Sequence, residues 1–151
     1  MSDIKVTPGR GLRITYTGKL NPKEIIEEVI SILDSLKYTP NKDKHIQKST
    51  DTGIEVEYRI SGEKEVTDFY MYKIKIRLFF QHIKKDQGNV DIQIQSFLIP
   101  DYQETWQSSK LKNALLNIYL NHLKKDEVET YWAKLYNETD KIREKIKSLI
   151  K

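Results

Sequence analysis

Cysteine is absent from this 151-residue chain. That excludes a disulfide framework, a thiolate metal centre and a cysteine nucleophile, and it fits a reducing compartment. No apolar run approaches the ~20 residues that a membrane-spanning helix needs. The opening MSDIKVTPGRG lacks the apolar middle of a signal peptide, so a cytoplasmic protein is expected. Glycine and proline are few, 6 and 4, and no repeat, low-complexity tract or interior linker divides the chain. Neither sign of charge dominates: Lys and Arg total 26 against 22 Asp and Glu, interleaved, for a net +4. Nucleic-acid binders more often carry a concentrated basic block, so a lysine-rich solvated surface is the simpler account of the pI near 9.0.

Chemistry-bearing motifs are missing as well. Neither phosphate-cradling glycine loop, GxGxxG or GxxxxGK[ST], occurs, and neither HExxH nor GxSxG does. The three histidines, His45, His82 and His122, lie far apart in sequence and read as surface or strand-end residues. No catalytic residue, metal ligand or cofactor is nominated, and an enzyme is the less favoured reading.

What is present is apolar periodicity. In FYMYKIKIRLFFQHI, residues 69–83, Tyr70, Tyr72, Ile74, Ile76, Leu78 and Phe80 share one parity. Met71, Lys73, Lys75, Arg77, Phe79 and Gln81 share the other. Alternation over this length predicts a long half-buried strand with the first set in the core. A one-residue slip would bury Lys73, Lys75 and Arg77 at a cost of several kcal/mol each.

The other elements follow in chain order. Leu12, Ile14 and Tyr16 predict a short strand closed by Gly18. Asn21 as N-cap and Pro22 at the first position open a helix over 22–37, which Tyr38-Thr39-Pro40 ends. Polar residues 40–53 read as irregular, with an edge strand near 44–48 left open. Ile54, Val56, Tyr58 and Ile60 predict a strand that turns at Ser61-Gly62-Glu63. Val90, Ile92 and Ile94 predict another, from a turn at 84–89 to about Ile99. Short turns make these strands an antiparallel meander. Pairing Phe80 with Ile92 in the last hairpin sets Leu78 opposite Ile94 and Arg77 opposite Gln95. After a connector, Ser108 or Ser109 caps a helix with two apolar rows: Leu111, Leu115, Ile118 and Leu116, Leu120, Leu123. Asp126, with Glu129 in a capping box, opens a long terminal helix carrying Val128, Trp132, Leu135, Thr139, Ile142, Ile146 and Leu149.

The fold expected is a single α+β domain over residues 1–151, with 1–11 a flexible lead-in. An antiparallel sheet of about four strands is covered on one face by an N-terminal helix and two C-terminal helices. The order is also similar to helix-grip folds, in which a C-terminal helix closes a curved sheet over a ligand cavity.

Three constellations are candidates for function. Met71, Lys73, Lys75, Arg77 and Phe79 form an outer sheet face on which phosphate contacts and stacking would serve single-stranded nucleic acid. Glu55 and Glu57 oppose that field. Tyr58, Tyr70, Tyr72, Tyr102, Trp106 and Trp132 are candidate lining for an apolar cavity between sheet and C-terminal helix, or else ordinary core. Asp68, beside Thr67, shares the inward parity and reads as a partly buried structural carboxylate.

VTDFYMYKIKI, SFLIPDYQETW and the leucine-rich LNIYLNHL resemble a group of small uncharacterised archaeal proteins, across roughly residues 54–80 and 92–136. The resemblance implies an intracellular, archaeal-type protein and transfers no catalytic residue. The function expected first is a non-catalytic binding or adaptor module with a protein partner. Its surface would be the sheet face around Met71 and Phe79, or exposed parts of the terminal helix. A small apolar ligand in the aromatic cavity is the alternative, and single-stranded nucleic acid on the basic face is the third.

Overall fold

Alternation along the chain's longest strand decides the layering. Its inward side chains, Tyr70, Tyr72, Ile74, Ile76, Leu78 and Phe80, are all buried. Burying side chains of this size stabilises by roughly 1.5–3 kcal/mol each, which fixes the face that meets the helices. The computed structural model describes residues 3–103 and 109–150, the side chain of Leu123 excepted. The elements are β1 (Ile4–Lys5), β2 (Leu12–Lys19), α1 (Pro22–Ser35), β3 (Thr39–Thr50), β4 (Gly53–Glu65), β5 (Tyr70–Lys84) and β6 (Gln87–Pro100). Then come α2 (Lys110–Ile118), a π-helical turn (Tyr119–Leu123) and α3 (Lys125–Leu149).

The fold is α+β. One antiparallel sheet has the order β1-β6-β5-β4-β3, and β2 pairs with β6 on the same edge as β1. Six strands replace the four expected. The stretch read as a lead-in carries β1, which pairs Ile4 with Leu98 and Lys5 with Phe97. Val6 is buried behind it. The polar stretch 40–53 is mostly β3, twelve residues whose side chains are nearly all exposed. An edge strand is held by its backbone ladder to one neighbour and needs no apolar face, so its sequence carries no alternation.

The first expected turn is misplaced. β4 runs through Ser61-Gly62-Glu63 to Glu65, and the reversal is at Val66–Phe69. There the Thr67 hydroxyl accepts from the amides of Phe69 (3.1 Å) and Tyr70 (2.9 Å). Gly62 serves close approach instead of a turn: a Cβ there would lie 3.1 Å from Tyr38 Cβ and 3.5 Å from Leu33 Cδ1. Asp68 sits in the true turn and is exposed, not partly buried. The β5–β6 parity is as expected, but the register is two residues tighter. Phe80 faces Val90, Leu78 faces Ile92 and Arg77 faces Gln93. The turn is just Lys85-Asp86, both at positive φ (+50° and +63°), the primed geometry that suits two-residue hairpins. Tightening by two preserves which side chains face inward.

Asn21 caps α1, its side chain accepting from the Glu24 amide at 3.4 Å. The helix stops at Ser35, two residues short of expectation, and Lys37 takes φ +71° as its exit. α2 is nine residues rather than a full leucine-rich helix, and Ser109 caps it (3.1 Å to the Lys112 amide). Of its two apolar rows, Leu116 and Leu120 are buried, while Leu111, Leu115 and Ile118 are 72%, 46% and 54% exposed. α3 starts at Lys125 without a side-chain cap, so the Asp126 capping box does not form. Leu135, Thr139, Ile142 and Ile146 are its buried seam. α1 and α3 share one core cluster with the inward residues of β2, β4, β5 and β6. No helix among the described residues is long and apolar enough to cross a membrane.

Candidate functional site

The aromatic set divides on inspection of its surroundings. Tyr70 and Tyr72 are packed beneath α3, with Tyr70 and Tyr131 rings 4.7 Å apart and the Tyr72 hydroxyl donating to the Tyr131 carbonyl at 3.4 Å. Burial raises both hydroxyls, Tyr72 to about 12. Trp132 lies on the outer side of α3, stacked on Tyr136 at 5.6 Å and 38% exposed. Tyr102 is half-buried, and Trp106 lies outside the described residues. Next to the packed tyrosines, Lys64 of β4 points inward and donates to Glu138 of α3 (2.8 Å) and to the Leu36 carbonyl (3.1 Å).

Tyr58 is the member that lines open space. It belongs to a groove of about 520 Å³ between the N-terminal half of α1 and the inner face of β3, β4 and the end of β5. Ile26 and Ile30, one helical turn apart, form one wall, and Ile54, Val56, Tyr58 and Ile83 form the other. Lys23, Glu27, Lys42, His45 and Gln47 supply its polar lining with Asn21 beside Pro22, and the His45 ring lies 4.9 Å from that of Tyr58. The space exists because Ile30, Ile54 and Ile83 are only partly buried: α1 stands off the sheet where the polar strand β3 supplies no apolar side chain to meet it. Periodicity showed the apolar faces of α1 and β4 but not their separation.

The outer sheet face is arranged by register. Lys44 of β3, Arg59 of β4, Arg77 of β5, Gln93 of β6 and Arg13 of β2 are successive cross-strand partners. Lys73, Lys75 and Arg77 lie along the outward side of β5 as expected, and Arg77 also belongs to this row running across the strands. Lys73 is spoken for by Glu63 at 3.6 Å. Glu57 accepts from Arg77 Nη2 (2.8 Å) and Nε (3.1 Å), with Lys44 and Arg59 each at 3.5 Å. Burial pushes the Glu57 carboxyl up, but the Arg77 hydrogen bonds and the three cations outweigh it and hold it below the usual carboxylate range. Arg77 lies 5.0 Å over the Phe79 ring and Lys75 5.1 Å over Phe97. Met71 and Phe79 are half-buried.

Among the described residues no catalytic constellation comes together. His82 is bonded to Thr52 at 2.6 Å, and no group of three or more His, Asp or Glu comes together to hold a metal among the described residues. Asp101, not Asp68, is the buried carboxylate of the turns, at φ +51°. The described residues define an α+β scaffold with an apolar groove under α1 and a charged outer sheet face. Comparison with protein-family models, with curated proteins and with solved structures finds no match to this chain.

Proposed function

We propose that this chain is a non-catalytic binding module whose ligand is a small amphipathic molecule with an apolar body and an anionic end. The groove of about 520 Å³ under α1 carries the reading. Its size falls within the usual range for small-molecule sites, and its walls are isoleucine, valine and the Tyr58 ring. Two lysines, Lys23 and Lys42, against one acid, Glu27, give the polar rim a positive balance that suits a carboxylate or sulfonate. The element order is similar to that of helix-grip folds, whose cavity lies under the C-terminal helix, whereas this groove lies under α1. That likeness bears on architecture and not on chemistry.

Anilinonaphthalene sulfonate, an apolar ring system with one sulfonate, is the probe. The expected result is saturable binding at one site, displaced by decanoate and at least about tenfold weaker in Ile30→Glu, which charges one wall. Near-UV circular dichroism checks that the variant stays folded. Probe binding that is equal in wild type and Ile30→Glu overturns the reading, as does displacement by decanol as readily as by decanoate.

A further inference from the structure

The cation row is separate from the groove, since outward and inward residues lie on opposite faces of the sheet. Side-chain exposure is 42% for Lys44, 49% for Arg59, 32% for Arg77 and 62% for Arg13. For Arg77 the second contact with Glu57 does not close off the guanidinium. With adjacent strands about 4.8 Å apart, the row spans about 19 Å across five strands. The two acids bonded to its guanidiniums sit on one side, while Asp43 lines the depression on the other. The neighbouring row contains Glu57, bonded to Arg77, and Asp91, bonded to Arg13 at 2.7 and 2.9 Å. The row on the opposite flank is Ser61, Lys75 and Gln95. Between it and the cations lies a depression of about 370 Å³ lined by Arg59, Lys75, Arg77, Gln93 and Gln95, with Asp43 at its rim. No carboxylate among the described residues lies within 4.0 Å of Lys75 Nζ.

We infer that this face is a track for the sugar–phosphate backbone of single-stranded nucleic acid, running across the strands. A line of spaced cations fits a linear polyanion better than a compact one. Glu57 and Asp91 hold the guanidiniums in place from one side, and the amides of Gln93 and Gln95 add neutral donors. The track reads phosphate and not base. The Phe79 and Phe97 rings, which a stacking platform would offer, are covered by Arg77 and Lys75.

Fluorescence anisotropy with labelled twelve-nucleotide oligo(U) and oligo(A) tests this. At low salt the expected Kd lies between about 1 and 100 µM, and log affinity falls with log salt at a slope of about −2 to −3, as three or four phosphate contacts require. Oligo(U) and oligo(A) should bind within about threefold of each other, because stacking is not used. Arg59→Gln with Lys75→Gln should weaken binding at least about tenfold and flatten the slope, while Lys141→Gln on α3 leaves both unchanged. Lys44→Gln with Lys75→Gln, which leaves the Arg77–Glu57 bonds intact, should weaken it severalfold and serves if the first pair misfolds. No binding at low salt, equal loss in Lys141→Gln, or a preference above about tenfold for one base overturns the proposal. Binding of anilinonaphthalene sulfonate should be unaffected by Arg59→Gln with Lys75→Gln, so either site can fail alone.

Discussion

The two faces of β5 are built from neighbouring residues on one backbone, yet they do different physical work. Inward, Ile74, Leu78 and Phe80 are fully buried, and each contact there is non-directional apolar packing. Outward, Lys73, Lys75 and Arg77 are each placed by a named partner, Glu63, Phe97 or Glu57. Inside, a side chain is fixed by volume; outside, by charge and ring geometry. The inner face therefore sets whether the chain folds, and the outer face sets what it can hold. Lys64 is the exception that tests the rule, since it shares the inward parity of β4 and still carries a charge.

The largest expected effect comes from Leu78→Ala, which should cost about 3–5 kcal/mol in denaturant unfolding, against about 1 kcal/mol for Phe79→Ala on the other face. Equal losses would erase the distinction between the faces. Glu138→Gln comes next. It leaves Lys64 half-buried with the Leu36 carbonyl and a neutral amide, and should cost about 1 kcal/mol. If unfolding is unchanged, the inward lysine is held by its stem alone. The smallest effect belongs to Glu57. Its folded-state pKa is depressed, so its contribution is present above the unfolded value of about 4.3 and is lost as pH falls through the folded value. Glu57→Gln should flatten the acid limb of the stability–pH curve below about pH 4.3 and leave the slope near neutrality alone. An unaltered acid limb would mean that Arg77 gains nothing from that carboxylate on folding.

The inner face was legible because burial on one side of a strand writes itself as alternation. Parity alone named all six inward residues of β5 and Val90, Ile92 and Ile94 of β6, though not the buried Ser96 and Leu98. It did not name their opposite numbers, since a two-residue slide keeps parity, and the Lys85-Asp86 turn together with the irregularity between Gln81 and Lys84 set the tighter pairing. β3 was only partly legible, an edge strand near 44–48 being left open, because backbone pairing to β4 leaves no mark on side-chain polarity. Both candidate sites depend on β3. Lys42 and His45 reach the groove, and Lys44 heads the cation row, so neither site takes shape until that strand is placed. Spacing gave two leucine rows on α2 but cannot tell which row the body covers.

β3 also leaves one margin of the sheet unshielded. A free ladder of amides and carbonyls invites further chains to add on, the first step toward fibrillar growth. Here the margin carries Lys42, Lys44 and Lys48, has Pro40 as its second residue, and is broken by an irregularity between Lys42 and Lys44. A second molecule approaching in register would meet like charges and a kinked template. The composition that hid this strand thus disfavours edge-to-edge pairing through it.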